Sequence, residues 1–217
     1  VAFTHCSNIV GTVVDVPAIA ARVRAAGALT CVDGVAFAPH RRVDVRALGV
    51  DFYLASLYKV YGPHLASMFG RRELLLAAES PNHFFVSADA IPTKFEPGNV
   101  NYELAASLAG ILDYLRALAE HHGVPFVRDE GPDVNACFGR IAAHERELAR
   151  PLIAFLAEHP RVRVIGNADP EATVDERVPT VSFVADGRSA GELPPLLDQR
   201  ELATRFGHFY AYRLIRD

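Results

Sequence analysis

At residues 29–33 the sequence is LTCVD, a short apolar run with β-branched residues that ends in a carboxylate. Such a run is typical of a strand buried on both faces of a parallel sheet. Two further strands are predicted beside it, at 1–5 (VAFTH) and 50–55 (VDFYLA). Between them we predict a helix that begins after Asp15 and a brief one over 44–48. Strands and helices that alternate at this spacing predict an α/β domain with a parallel sheet.

The second half of the chain is predicted to contain more helix. Beyond the Pro-, Gly- and Asn-rich residues 80–101, the pattern predicts helices over 102–122 and 135–159, with Pro151 bending or dividing the second. Two strands and a short helix come after them, over 162–165, 178–185 and 192–200. We expect a larger domain over 1–125 and part of a smaller α/β domain over 126–217.

The composition narrows the class of protein. Half of the 217 residues are hydrophobic and 22% are charged, a balance typical of a globular domain. The formal net charge of −4 predicts no nucleic-acid partner, and no apolar run reaches the about 20 residues that a membrane helix needs. No pair of histidines has zinc-type spacing with Cys or acidic partners, so no metal site is predicted. Three scattered cysteines favour a cytoplasmic location. Because the first residue is Val1, we expect a piece of a longer protein.

Polar residues lie just after each of the three predicted parallel strands, where open α/β sheets bind their ligands. They are Asn8, Asp33 and the segment 56–59. A carboxylate that closes so apolar a strand is costly to desolvate unless a cation meets it, although Asp33 could instead cap a helix after the strand. Lys59 and Lys94 are the two lysines among 22 basic residues, and amine chemistry needs a lysine. An amine in a partly desolvated pocket is a usable nucleophile towards carbonyls, while the alternative for Lys59 is an ordinary surface position.

These segments resemble one family in order and spacing. The run SLYKVYGP at 56–63 resembles the lysine motif by which class V aminotransferases and cysteine desulfurases bind pyridoxal phosphate. The other matching segments are THCSNIVGT at 4–12, VDG at 32–34, VDV at 43–45, FEPGNVN at 95–101 and RFGHFYA at 205–211. The resemblance covers nearly the whole chain. It implies the pyridoxal-phosphate-dependent transferase (aspartate aminotransferase-like) fold.

The resemblance implies a role for each residue near the cofactor ring. Lys59 would form an aldimine with the aldehyde of pyridoxal 5'-phosphate and later move the α-proton of the substrate. Asp33 would pair with the pyridine nitrogen and keep it protonated. Ser56 and Tyr58 would donate hydrogen bonds to the phosphate, with the tyrosine standing where many relatives carry histidine.

Further residues are implied around the ring and the substrate. Asn8 would contact the 3-oxygen of the cofactor, and His5 would lie near it. In a homodimer, Gly98-Asn99 would reach the phosphate of the neighbouring subunit. His208 and Arg205 are implied near a small amino-acid substrate.

The sequence also departs from the family. Desulfurases carry a persulfide-forming cysteine in a Gly-His-His-Cys-Ala pattern, and here Tyr210 stands in its place. Ala36 stands where members of the family often carry a glutamine. Cys6 and Cys31 are expected to be small residues that fill apolar space. The family's phosphate loop and its carboxylate-binding arginine are expected outside residues 1–217.

Several functions therefore stay open at this point. A persulfide route is not favoured, and transamination, β-elimination, racemisation and desulfurase-like C–S cleavage remain. An inactive or truncated homologue that keeps a dimerisation or binding role is the alternative. A cofactor-free lyase that uses Lys59 alone is a third possibility, but it leaves Asp33 unexplained.

Overall fold

The computed structural model describes residues 1–96, 98–127 and 131–216. The chain forms two compact units. The first unit consists of Val1–His5 with Asp15–Gly139, and the second of Cys6–Val14 with Arg140–Asp217. The division into domains over 1–125 and 126–217 stays a prediction.

The first unit is built on a four-stranded sheet in the order β1-β2-β3-β4. Its strands are β1 (Ala2–Thr4), β2 (Cys31–Asp33), β3 (Phe52–Ser56) and β4 (Ala66–Gly70). β1, β2 and β3 are parallel, which confirms the predicted α/β class with a mostly parallel sheet. β4 pairs antiparallel with β3 and is not anticipated by the sequence, because its first three residues are exposed and it carries no buried apolar run.

Several helices of the first unit begin after a short polar side chain that caps them. They are α1 (Val16–Ala25), α2 (Val45–Leu48), α3 (Arg72–Ala77), α4 (Tyr102–Ala106) and α5 (Ala109–His122). Asp15 accepts a hydrogen bond from the backbone of Ala18, and Asp44 caps α2 in the same way. The single helix predicted over 102–122 is wrong, because the chain breaks between α4 and α5. At the break the Ser107 hydroxyl donates to the carbonyl of Leu104 at 2.8 Å and competes with the backbone.

The core of the first unit lies between the sheet and its helices. One buried cluster joins the sheet to α1 and consists of Val16, Ala20, Val32, Val50 and Tyr53. Val32 at the centre of β2 is completely buried, as its apolar strand predicts. A second cluster packs α5 against the start of the next long helix and consists of Leu115, Ala119, Val124 and Cys137.

Beyond α5 the chain continues as a two-stranded ribbon and a long helix. The ribbon, β5 (Phe126–Val127) with β6 (Gly131–Pro132), is antiparallel and is not anticipated by the sequence. The helix α6 (Val134–Glu158) confirms the pattern over 135–159 and holds Pro151 within one helix. No helix within 1–96, 98–127 and 131–216 is long and apolar enough to span a membrane.

Besides most of α6, the described part of the second unit contains an antiparallel pair of strands and two short helices. They are β7 (Val162–Ile165), β8 (Ser182–Ala185), α7 (Leu193–Asp198) and α8 (Tyr212–Arg216). Of the strand predicted over 178–185, only the second half forms, as β8. The backbone of Val178 instead donates to the carbonyl of Gly11 at 2.9 Å, so the first half of that segment bonds elsewhere.

A buried polar pair joins the entrances to β2 and β3. Asp51 accepts hydrogen bonds from the Thr30 backbone at 2.8 Å and the Thr30 hydroxyl at 3.0 Å, and its own N–H donates to that hydroxyl at 2.9 Å. Arg71 lies 3.3 Å from the other carboxylate oxygen. Although desolvation by burial acts to raise it, the hydrogen bonds from Thr30 and Arg71 hold the pKa of Asp51 below its ordinary value.

We expect Thr30→Val to lower the free energy of unfolding by about 2 kcal/mol, because it removes a hydrogen bond to a buried carboxylate and leaves the Asp51 N–H unpaired. Urea unfolding at pH 7 measures this loss. Thr93→Val, at an exposed threonine of the same unit, is the matched control and should change stability little. Equal stability of the two variants would contradict the role given to the pair.

Candidate functional site

Three of the predicted site residues lie at one edge of the parallel sheet. His5 comes directly after β1, Asp33 ends β2 and Ser56 ends β3. The His5 N–H donates to the carbonyl of Asp33 at 2.8 Å, and the Gly34 N–H donates to the carbonyl of Leu54 at 2.8 Å. These backbone bonds continue the strand pairing past the strand ends. The structure thus brings together the carboxyl ends at which α/β sheets bind ligands.

The Asp33 side chain is exposed at this edge. Its Oδ1 accepts a hydrogen bond from the backbone of Val35 at 2.9 Å, so the carboxylate does cap the turn after β2. A carboxylate can accept several hydrogen bonds at once, and capping leaves it able to accept one from a ligand. The capping role and the proposed ligand role of Asp33 are therefore compatible.

The lysine motif forms a tight turn immediately after β3. A 3₁₀ turn spans Leu57–Lys59, and Lys59 is exposed with its Nζ 5.9 Å from the centroid of the Tyr58 ring. The Tyr58 ring in turn stacks on His64 with centroids 5.0 Å apart. The expected partly desolvated pocket around Lys59 is not formed by the residues that the structure describes.

The turn after Lys59 is fixed by packing against α5. Tyr61 stacks on Tyr114 at 4.5 Å between ring centroids, and its hydroxyl donates to the carbonyl of Pro39 at 3.1 Å. A Cβ at Gly62 would lie 2.7 Å from a side-chain carbon of Ile111 and 2.9 Å from a backbone oxygen. Only glycine allows this approach, which holds the segment that carries Lys59 against the helix.

The second lysine of the chain has a different environment. Lys94 is completely buried, and its Nζ donates to three backbone carbonyls, those of Leu76 at 3.1 Å, Ala78 at 2.8 Å and Ala88 at 2.8 Å. An ammonium group has three N–H donors, and all of them are used here. Of the two lysines, Lys59 is therefore the one whose amine is available to a ligand.

His5 is buried in an aromatic and polar environment. Its ring stacks on Phe37 with centroids 3.6 Å apart, and its Nδ1 shares a hydrogen bond of 2.9 Å with the hydroxyl of Tyr53. Burial lowers the pKa of His5 to about 4, so the ring is neutral at pH 7. Tyr53 and Phe37 were missed by sequence reasoning, which compared motifs and gave no role to residues between them.

The remaining predicted site residues lie in the loop before α4 and in the second unit. Asn99 is exposed in the loop before α4, and its role towards a neighbouring subunit stays a prediction. In the second unit, the Asn8 side chain donates to the carbonyl of Phe209 at 3.0 Å. His208 accepts a hydrogen bond from the backbone of Tyr210 at 3.1 Å, and Arg205 is exposed. Within that unit, Asn8 and the turn that carries His208 are brought together.

That turn has an uncommon backbone. Phe209 and Tyr210 have φ values of 45° and 67°, and two consecutive non-glycine residues rarely adopt this region. The side chain of Tyr210 is fully exposed. Where desulfurases carry a cysteine, this chain thus exposes the phenol of Tyr210 to solvent.

The cysteines are placed as expected of apolar filler. Cys6 and Cys137 are buried, and burial raises the pKa of the Cys137 thiol, which makes it unreactive. Cys31 is half-buried within β2. In the described part of the chain, no group of three or more His, Cys, Asp or Glu side chains could hold a metal ion.

The chain is similar in sequence to class V aminotransferases and cysteine desulfurases. A sequence model described as aminotransferase class-V matches residues 1–122. The chain is 37% identical over 217 residues to the aminotransferase-like protein FGM3 of Gibberella zeae, which covers 99% of this chain and 50% of that protein. It is 32% identical over 227 residues to the probable cysteine desulfurase 2 of Mycobacterium leprae, with 100% and 49% covered.

The fold is likewise similar to that of a solved desulfurase. The crystal structure of the S-sulfonic acid form of the cysteine desulfurase CsdA from Escherichia coli matches with a TM-score of 0.73 and 26% sequence identity, over 98% of this chain and 50% of that one. This match confirms the predicted pyridoxal-phosphate-dependent transferase fold. The chain spans about half the length of the curated relatives it matches.

The low pKa of His5 predicts a specific pH dependence of stability. Between about pH 6.5 and 4 the unfolded chain binds a proton at His5 and the folded chain does not, so the free energy of unfolding falls as the pH is lowered through this window. At about 1.4 kcal/mol per pKa unit the full effect is about 3 kcal/mol. At pH 4.5 we expect slightly less, about 2.5 kcal/mol, because part of the folded chain is already protonated at His5.

Urea unfolding of the wild type and of His5→Gln at pH 7 and pH 4.5 measures this effect. Glutamine does not titrate, so the variant should lose less stability on acidification than the wild type. The other histidines contribute equally to both proteins and cancel in the difference. Identical pH dependences would show that His5 titrates normally in the folded chain.

Proposed function

Because this chain belongs to the class V aminotransferase family, as the resemblance of its motifs predicted, we propose that it is part of a pyridoxal-phosphate enzyme that acts on a small amino acid. The family's enzymes depend on pyridoxal 5'-phosphate. The observation that carries the proposal is that an exposed carboxylate and an exposed amine, Asp33 and Lys59, lie at and just beyond the ends of neighbouring parallel strands. The activity is proposed for the whole protein, of which these residues form a part.

The residues present fit the chemical groups of the cofactor. An aldehyde needs an accessible amine, and the exposed Lys59 supplies one while Lys94 is enclosed by carbonyls. A pyridine nitrogen needs an anionic partner, which Asp33 supplies at the end of β2. The phosphate needs hydroxyl donors, and Ser56 and Tyr58 stand between these two residues in the chain.

When bound, the protonated cofactor ring withdraws electrons from the α-carbon of an amino acid. Asp33 would hold the proton at the pyridine nitrogen by charge pairing. Lys59 would hold the cofactor covalently through Nζ and, once released, accept a proton from the substrate α-carbon and return it. Its exposure supports this second role, because the amine must move between two positions.

Further contacts are proposed for the residues around these two. An amide nitrogen has two N–H donors, so Asn8 can keep its bond to Phe209 and still donate to the 3-oxygen of the cofactor. We assign Gly98-Asn99 to the phosphate of a neighbouring subunit in a homodimer. Arg205 and His208 are assigned to the substrate side, and His5 to the neighbourhood of the ring.

The reaction type is limited by Tyr210. A phenol cannot form a persulfide, so sulfur transfer through this position is not part of the proposal. Transamination, β-elimination and racemisation need no protein thiol, and β-elimination of cysteine is a C–S cleavage that releases sulfide together with pyruvate and ammonia. Turnover of cysteine that releases both pyruvate and sulfide would indicate elimination, whereas turnover of alanine that releases pyruvate alone would indicate transamination.

We expect purified protein mixed with pyridoxal 5'-phosphate to show the visible absorbance band of the covalently bound cofactor. Reduction with borohydride and peptide mapping should find the cofactor on Lys59 and not on Lys94, because only the first amine is exposed. Lys59→Ala should lose both the band and the modified peptide.

Lys59→Arg is the matched control, since it keeps the positive charge but cannot bind the aldehyde covalently. It should lose the band like the alanine variant and bind the cofactor more tightly than that variant. Equal spectra for the wild type and Lys59→Ala would overturn the assignment. Binding by a longer chain, where these 217 residues show none, would instead identify segments outside this chain as necessary. Normal cofactor binding without turnover of any amino acid would favour the inactive homologue.

A further inference from the structure

Tyr53 fills the space beside the backbone just after Asp33. The side chain lies in β3, is 3% exposed and is directly opposite Val32 of the neighbouring strand. A Cβ built on Gly34 would lie 2.1 Å from both the hydroxyl oxygen and the terminal ring carbon of Tyr53. The phenol end of the tyrosine thus occupies the place of a side chain at residue 34. Glycine is required there by packing.

A series of contacts also connects the hydroxyl of Tyr53 to the carboxylate of Asp33. It shares a hydrogen bond of 2.9 Å with Nδ1 of His5, whose ring stacks on Phe37 at 3.6 Å. The Phe37 N–H donates to the carbonyl of Gly34 at 3.0 Å, which closes the turn after β2.

Both ends of this series of contacts meet at Asp33. The backbone of His5 donates to the carbonyl of Asp33 at 2.8 Å. The turn that Phe37 closes presents the N–H of Val35 to Oδ1 of Asp33 at 2.9 Å. The carboxylate is itself exposed, so its orientation is set by its neighbours in this turn and not by burial.

We propose that Tyr53 is a positioning residue for Asp33: its ring and hydroxyl, acting through Gly34, His5 and Phe37, hold the end of β2 so that the carboxylate has a single orientation. This inference rests on the proposed function of Asp33 as the partner of the pyridine nitrogen. A polar site works only when its groups are held to within about 0.5 Å, and supporting contacts provide that precision. Tyr53 touches neither the cofactor nor the substrate in this proposal.

The first test uses the protein without cofactor. In the wild type, the Hα–Hβ couplings of Asp33 measured by NMR should show one large and one small value, as expected of a single χ1 rotamer. Tyr53→Phe keeps the ring at Gly34 but removes the hydroxyl that binds His5, and the two couplings should become similar through averaging. Tyr114→Phe removes a hydroxyl elsewhere in the same unit while keeping the stack on Tyr61, and it should match the wild type.

The second test measures the binding of pyridoxal 5'-phosphate and of its analogue with carbon in place of the ring nitrogen. Tyr53→Phe should weaken binding of pyridoxal 5'-phosphate about tenfold and leave binding of the carbon analogue unchanged. A purely structural role would weaken both ligands alike. In an Asp33→Asn background, Tyr53→Phe should cause no further loss, because residues that act through each other are not additive.

The outcomes separate this inference from the proposed function. Absence of affinity for pyridoxal 5'-phosphate both in this chain and in a longer one counts against the proposed function, and the NMR couplings still decide whether Tyr53 orients Asp33. Couplings and affinities of Tyr53→Phe equal to those of the wild type overturn the inference and leave the proposed function standing. Should circular dichroism show that Tyr53→Phe is unfolded, His5→Leu removes the same hydrogen bond from the other side, and the same averaging of the Asp33 couplings is expected of it.

Discussion

Parallel pairing of β1, β2 and β3 is the constraint on which the candidate site depends. Because parallel strands end on the same side of a sheet, residues about 25 positions apart in sequence reach one edge. The burial of Val32 and Tyr53 fixes this pairing, since a shift by one residue would turn their side chains to the other face. The buried pair of Thr30 and Asp51 fixes the opposite end of the same strands. The register of β1, β2 and β3 thus determines both the buried core and the position of the candidate site.

The sequence predicted those parts of the fold that short-range patterns determine. An apolar run that ends in a carboxylate identified β2, and Asp15 and Asp44 identified the starts of two helices through their capping side chains. The parts it missed depend on contacts between distant residues. β4 exists because it pairs with β3, and its own residues are largely exposed. At the break between α4 and α5 a serine hydroxyl bonds to the carbonyl of Leu104, a contact that an apolar periodicity does not register.

The same division holds for the candidate site. Motif order made Asp33 and Lys59 candidates, because their residue types and spacing resemble those of the family. The surroundings of these residues could not be predicted in the same way. Tyr53 belongs to a strand whose alternation indicates only that it faces inward, and its contact with Gly34 depends on the register of two strands. His5 was predicted near the cofactor for its chemistry, whereas its burial and its stacking on Phe37 are tertiary properties.

The two lysines show why residue type alone does not define a site. Both carry a primary amine, and the rarity of lysine in this chain gave both the same interest. Lys94 donates to three carbonyls, one in α3 and two in the loop that follows it, and stabilises that loop, because a buried ammonium must have all its donors satisfied. Lys59 lies in a turn that packs against α5 through Gly62 and Tyr61. Its backbone is therefore fixed, while its amine stays exposed. A rigid base with a mobile amine is what a lysine needs if it must hold an aldehyde at one moment and carry a proton at another.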